Sequence, residues 1–318
     1  MNESILCPIC KRNNVKNLRK TLRNNYFLVN CLECDFYFAS PRPTFQELSD
    51  FYNSISSIRF FKHSQKEAEK FSEPLFKKIR TYHPSCRKIL EIGASTGYQL
   101  FGLKNRGYEV VGSELSNDAC KLAREWYNIE MYADEFPPEE EFKEYFDVII
   151  IHHVIEHVVK PREFIERASK YLAKNGWLFI ETPNVKSLGV KLLGKDYPVF
   201  CPPGHLNFFS KKTLESILPK SIIPIKSYTT SMDGLTPYNI LNGIFSKLKL
   251  KDFIDKKINV KQKIEAKSEV KVLNSKKYIV LTLLFRLSKF VFILFYPLFI
   301  FIDSIGLGEN LYLISKKK

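Results

Sequence analysis

Ile89-Leu90-Glu91-Ile92-Gly93-Ala94-Ser95-Thr96-Gly97-Tyr98 is the stretch whose reading decides the fold. An apolar run from Lys88 to Ile92 breaks at small residues, and a helical pattern follows, which predicts a strand, a tight turn and a helix. The same alternation recurs around Tyr108 to Gly112, Phe146 to Ile151 and Trp177 to Glu181, with amphipathic stretches between these runs. Strands so apolar, separated by helices, predict an α/β fold: a doubly wound, Rossmann-like parallel sheet covered on both faces. Ile222 to Tyr228 and Asn310 to Ser315 are further strand candidates.

The turn between Ile92 and Tyr98 lets backbone approach a ligand at the carboxyl edge of the sheet. The second strand closes on Val110-Val111-Gly112-Ser113-Glu114, whose acid suits two ribose hydroxyls. Nicotinamide and adenosyl cofactors both use this geometry. Glu91, two residues before the first glycine, separates them: its negative charge opposes a pyrophosphate and suits a cofactor carrying an amino group and a sulfonium. The reading therefore favours S-adenosylmethionine.

These residues resemble the first motif of class I S-adenosylmethionine-dependent methyltransferases, acid-x-Gly-x-Gly-x-Gly, with Ser95 in place of the middle glycine. The resemblance implies a seven-stranded sheet of the methyltransferase type, with Glu91, Gly93, Ser95 and Gly97 around the methionine end. It also places Glu114 on the ribose and the Ala133-Asp134 pair beside the adenine. It continues through Phe146 to His157, Ile180-Glu181-Thr182-Pro183-Asn184 and Gly204-His205-Leu206-Asn207-Phe208-Phe209-Ser210, and Gly306 to Lys316 is similar to the last, antiparallel strand. The core motifs are similar to those of ubiquinone-pathway O-methyltransferases, which hold a divalent metal with acid-x-x-Glu-His. Here that position reads His153-Val154-Ile155-Glu156-His157, with histidine in place of the acid. The same five residues match H-x-x-E-H, but His153 follows a buried strand instead of lying within a helix, which argues against a zinc protease.

Cys7-Pro8-Ile9-Cys10 and Cys31-Leu32-Glu33-Cys34 form two C-x2-C knuckles, a spacing that lets four thiolates close a structural zinc site. The N-terminus lacks the basic and apolar regions of a secretory signal, so a cytoplasmic, reducing setting and metal-bound thiols are expected rather than disulfides. Residues 1 to 50 carry seven Lys or Arg against five acids, too small an excess for a nucleic-acid-binding ribbon. With the ribbon included, the chain resembles a zinc-ribbon branch of methyltransferases associated with sugars and polysaccharide biosynthesis. The expected organisation is a ribbon over 1–45, a helical linker over 46–85 and a cofactor-binding core over 86–235. A helical insertion over 236–308 and a last strand and tail over 309–318 complete it.

The chain has 318 residues, 45% of them hydrophobic and 26% charged, which excludes wholesale disorder. Of its net charge of +15, most lies beyond residue 245, where residues 247 to 277 hold eleven lysines and four acids. The apolar run Tyr278 to Ile302 follows. Arg286 and Lys289 near its middle would each cost roughly 2.5 to 3.5 kcal/mol at the centre of a spanning helix, which argues against a crossing. Two readings stay open: an interfacial helix drawn by lysines to an anionic membrane surface, giving a peripheral protein at the inner face, or a helix pair packed on the core.

Methyl transfer needs a nucleophile about 3 Å from the methyl carbon and a route for its proton. A hydroxyl nucleophile gains roughly 10² to 10⁴ fold from a general base. Candidates are His153, favoured because the family comparison turns it towards the substrate, then His205 and His152; strand alternation sends His152 and His153 to opposite sides. The expected acceptor is an oxygen of a small-molecule or lipid-linked sugar, a glycolipid or a surface-polymer precursor. Carbon methylation of a nucleotide-linked keto sugar is the alternative within enzymes. A non-catalytic membrane-associated binding module is the alternative outside them.

Overall fold

The computed structural model describes residues 6–20, 26–54, 60–194, 197–231 and 296–318. The lysine-rich stretch and most of both the apolar run and the expected insertion over 236–308 lie outside the described residues. Among the described residues no helix is long and apolar enough to cross a membrane.

In chain order the elements begin with β1 (Val15–Lys20), β2 (Phe27–Cys31), β3 (Tyr37–Ser40), α1 (Phe45–Ser54) and α2 (Gln65–Tyr82). Then come β4 (Lys88–Ile92), α3 (Tyr98–Lys104), β5 (Glu109–Ser113), α4 (Asn117–Tyr127), β6 (Glu130–Tyr132) and α5 (Glu139–Phe142). β7 (Phe146–His152), α6 (Pro161–Tyr171), β8 (Leu172–Pro183), α7 (Leu188–Leu193), β9 (Asn207–Phe208) and α8 (Lys211–Ser216) follow. The last are β10 (Ile222–Thr230), α9 (Tyr296–Ser304) and β11 (Asn310–Lys317).

Seven strands form one sheet in the order β10-β11-β8-β7-β4-β5-β6. β4 pairs in parallel with both β5 and β7, β5 with β6, and β7 with β8. Val148, Ile149, Ile150 and Ile151 are all fully buried. Because successive side chains of a strand point to opposite faces, this run requires cover on both, and each such side chain contributes roughly 1.5 to 3 kcal/mol. The topology changes direction around β4, so the carboxyl ends of β4, β5 and β7 open on one crevice.

The N-terminal strands form a second sheet, β1-β2-β3-β9. Its last strand comes from far along the chain: Tyr37 pairs with Phe208 and Phe38 with Asn207. Cys7, Ile9, Phe36 and Phe38 belong to the same buried cluster as Ile92, Ile151 and Phe209. The ribbon and the parallel sheet therefore share one core.

The chain divides into two compact units, residues 1–183, 201–227 and 311–318 in the first, 184–200 and 228–310 in the second. Within the second unit, Asn184 donates to the carbonyls of Gly306 and Gly308, and Glu309 accepts from the Gly189 amide and the Tyr197 hydroxyl. Burial raises the Glu309 carboxyl above its ordinary range.

Candidate functional site

Gly93 follows β4 directly, at φ +73°. A Cβ there would lie 2.3 Å from Cγ2 of Val154, so the turn closes against the end of β7 only with glycine. Ser95, where the motif has its middle glycine, adopts the same left-handed region at φ +50° and donates its amide to Oε2 of Glu114 at 3.1 Å. The amide of Ser116 donates to the other oxygen at 3.0 Å. Two backbone donors thus fix the Glu114 carboxylate, while its remaining lone pairs suit a vicinal diol. Gly97, at φ +70°, is buried, and a Cβ there would meet Ile129 and Ala123 at 3.0 and 3.3 Å. There the glycine lets the start of α3 pack close to Ala123 of α4.

One cavity of the first unit brings together Gly93, Glu114, Asp134, His153 and His157, with Phe45 and Leu48 of α1 among its apolar walls. Glu91, Ser95, Gly97, His152 and His205 are not among its lining residues. Glu91 is buried, and Oε1 accepts from Gln99 at 2.7 Å while Oε2 has no partner. Burial raises its carboxyl to about 8; the Gln99 bond opposes this and the Glu114 charge adds to it. A buried carboxyl with one unsatisfied oxygen fits a cationic amino group, whose charge would favour its ionised form, and a pyrophosphate offers it no such compensation. By this test the residues present fit an adenosyl sulfonium cofactor.

His152 closes β7 and His153 begins the turn after it, and both rings face the Glu181 carboxylate. The buried ring of His152 has Nδ1 3.4 Å from Gln99 and 3.9 Å from Glu181, and burial lowers it to about 4. It is neutral at pH 7 and is not among the residues that line the cavity. His153, at φ +53°, lines the cavity with 47% of its side chain exposed. Nδ1 stands 3.3 Å from Glu156 and Nε2 3.5 Å from Glu181. Burial pulls this ring down, but the two carboxylates outweigh it and hold it up at about 10. Glu156 and Glu181 are held at about 2 by the histidines despite their own burial. The favoured base is thus an imidazolium between two carboxylates at neutral pH, a donor and not an acceptor of protons.

His157 differs. Its Nδ1 lies 2.6 Å from the carbonyl of Gly204, and since a carbonyl only accepts, Nδ1 carries the hydrogen. In the neutral ring the basic lone pair is then on Nε2, which is 3.8 Å from Glu156. The other Glu156 oxygen accepts from the Thr182 hydroxyl at 2.9 Å. His205 stacks edge-on against His157 at 4.8 Å, and Glu156, His157 and His205 each bring a donor atom within 4.8 Å of the others. The sequence motif alone did not single out His157 as a base. The carbonyl that fixes its tautomer is 47 positions away.

At the ribbon, Cys7 Sγ is 3.6 Å from Cys34 Sγ and Cys10 Sγ is 3.5 Å from Cys31 Sγ. All four sulfurs lie within 4.8 Å of one another. Tetrahedral zinc at about 2.3 Å from each sulfur needs sulfurs about 3.8 Å apart, so the donor set fits that metal. Burial holds the Cys7 thiol up at about 11, against ionisation without a cation.

A family profile described as a methyltransferase domain matches residues 60–221. The chain is similar to the ubiquinone biosynthesis O-methyltransferase of Thiobacillus denitrificans, 25% identical over 50% of this chain and 72% of that protein. It is similar to that of Chelativorans sp. as well, 27% identical over 48% of this chain and 63% of that protein. The chain thus spans less than two thirds of the second relative. Among solved structures, an S-adenosylmethionine-dependent methyltransferase from Archaeoglobus fulgidus matches with TM-score 0.43 and 17% identity, over 81% of this chain and 96% of that one. A possible histamine N-methyltransferase from Thermotoga maritima matches with TM-score 0.48 and 15% identity, over 86% of this chain and all of that one.

Proposed function

The chain belongs to the methyltransferase-domain family and is an S-adenosylmethionine-dependent methyltransferase, and we propose that it methylates a hydroxyl of a sugar, glycolipid or surface-polymer precursor. The observation that carries this reading is the shared cavity, which Gly93, Glu114 and Asp134 line together with His153 and His157. When bound, the cofactor supplies an electrophilic methyl group on a sulfonium. Glu91 takes its amino group on the unpartnered Oε2, Glu114 its ribose, and Asp134 stands by its adenine. His157 takes the acceptor proton on Nε2, worth roughly 10² to 10⁴ fold. His153, charged and bonded to Glu156 and Glu181, keeps these two carboxylates paired beside the developing alkoxide. A polyhydroxylated acceptor suits this dense set of donors and acceptors, and the relatives' printed names support oxygen as the methylated atom.

One observation favours a second reading of the acceptor side. The donor set of Glu156, His157 and His205 suits a divalent cation, which would lower the pKa of the acceptor hydroxyl in place of a base. Full turnover after chelator treatment removes it.

The four cysteines hold structural zinc. Leu298, Ile300 and Phe301 of α9 are exposed, Phe301 by 59%, and with the preceding lysines they support docking on an anionic leaflet that presents a lipid-linked acceptor. The test incubates purified protein with methyl-labelled S-adenosylmethionine and extract from cells lacking it, then partitions the label. Base-stable label in solvent-extractable or soluble sugar fractions is expected, and no label in any fraction would overturn the assignment.

A further inference from the structure

We propose that the N-terminal ribbon is a working part of the acceptor site, with Arg42 as the positioning residue that holds the turn carrying His157 against the loop carrying His205. The proposal deepens the acceptor-side reading above and rests on it for the role of His157.

Arg42 follows β3 by two residues, and its guanidinium bridges two segments. One terminal nitrogen donates to the Leu206 carbonyl at 3.0 Å and to Oδ1 of Asn207 at 2.9 Å. The other donates to the carbonyls of Val158, at 3.0 Å, and Val159. These oxygens flank the site on both sides, since Val158 follows His157 and Leu206 follows His205. The rest of the lattice runs in the same direction. Leu206 and Asn207 donate their amides to the carbonyl of Glu156 at 2.8 and 2.9 Å. The Asn207 side chain donates to the carbonyls of Ile155 and Val158. Ala39 donates to Leu206, and Phe36 packs on Phe209 with ring centroids 5.2 Å apart.

The fork is specific to arginine. Four acceptors on two segments are met by two nitrogens of one rigid plane, which an ammonium at the end of a flexible stem does not reproduce. No carboxylate is among these partners. Burial lowers the guanidinium only to about 10, so it stays charged at neutral pH and is held by oxygens that are all fixed in place. Nε is buried without a partner, a cost tolerated for the bonds that the terminal nitrogens make. None of the cofactor-side residues Gly93, Glu114 and Asp134 touches this lattice through a described bond. The coupling therefore runs to the acceptor side: the distance from His157 Nδ1 to Gly204, three residues before Asn207, depends on how the two segments are held together.

The experiment uses the full chain labelled with nitrogen-15 at histidine. In the wild type the Nδ1 hydrogen of His157, bonded to Gly204, is expected as a slowly exchanging ring resonance. In Arg42→Met it should exchange at least about tenfold faster, with the His205 ring resonances shifted, while calorimetric affinity for S-adenosylhomocysteine stays within about threefold. Arg42→Lys, which keeps charge and stem and so protects folding, should lose the protection as well. Unchanged histidine exchange in either folded variant overturns the proposal, as does a parallel collapse of S-adenosylhomocysteine affinity, which would mark Arg42 as a support of the whole core. If His157→Ala retains turnover while the Arg42 variants still release the ring hydrogen, the role assigned to His157 fails and the positioning role stands.

Discussion

The side-chain amide of Gln99 donates to Oε1 of Glu91 across 2.7 Å, and Oε2 of the same buried carboxyl has no partner. A group held to about 8 is neutral below that pH, and a neutral carboxyl does not receive an ammonium as a charged pair. Affinity for S-adenosylhomocysteine should therefore rise with pH, by up to about tenfold per unit below 8, and level off above. Calorimetry from pH 6 to 9 checks this. A flat profile would remove Glu91 from the amino-group site.

Glu91→Gln separates binding from stability. A raised folded-state pKa means that the native chain binds the Glu91 proton more tightly, so stability is lost as pH rises from the ordinary carboxyl range through about 8. The amide avoids that loss. The variant should melt higher than wild type at pH 8, match it near pH 5, and bind S-adenosylhomocysteine more weakly, by roughly 10 to 100 fold. Equal melting shifts at both pH values would contradict the charge argument.

His153 between Glu156 and Glu181 predicts a stability plateau. The two carboxylates, lowered to about 2, contribute stability that is present above their ordinary range and lost as pH falls through about 2. His153, raised to about 10, contributes stability present below its ordinary 6.5 and lost as pH rises through about 10. His152 works against the acid side of this window: lowered to about 4, it stays neutral while the unfolded chain takes up its proton below about 6.5. Glu156→Gln should cost more melting temperature at pH 6 than at pH 10. Equal losses would show that the imidazole is not charged.

Substituting the histidines one at a time distinguishes their roles. His157→Ala should lower turnover on the labelled acceptor fraction by about 10² fold or more with S-adenosylhomocysteine affinity intact. His153→Ala should leave a larger residual rate. The reverse order would return the base to His153.

How much of this was legible in the sequence follows from the range of the interactions. The placement of Glu91, Gly93 and Glu114 at strand ends was readable because one turn and two strands, β4 and β5, set it locally. β7 was readable because burial on both faces leaves an unbroken apolar run. β6 was not, because three residues, Glu130–Tyr132, carry no period. β9 was not, because Asn207 and Phe208 are a strand only by virtue of Phe38 and Tyr37. The charge of His153 and the tautomer of His157 escaped for the same reason. Their partners Glu181 and Gly204 are brought close by tertiary folding alone.

Metal analysis tests the ribbon. Protein purified without chelator should hold one zinc per chain through the sulfurs of Cys7, Cys10, Cys31 and Cys34, and Cys31→Ser, at a fully buried ligand, should lower that ratio towards zero and lower the melting temperature. A ratio near zero in the wild type would dispose of the zinc.

β11 lies between β8 and β10 in the sheet, although β8 ends at Pro183 and β11 begins at Asn310. During synthesis the edge of β8 must wait for roughly 125 residues, which at about 5 to 20 residues per second is on the order of ten seconds. Throughout that interval the ribosome carries a sheet whose middle is built and whose flank is open, a template for wrong partners. Holding that edge safe until the closing strand emerges is a demand of timing that the finished fold no longer displays.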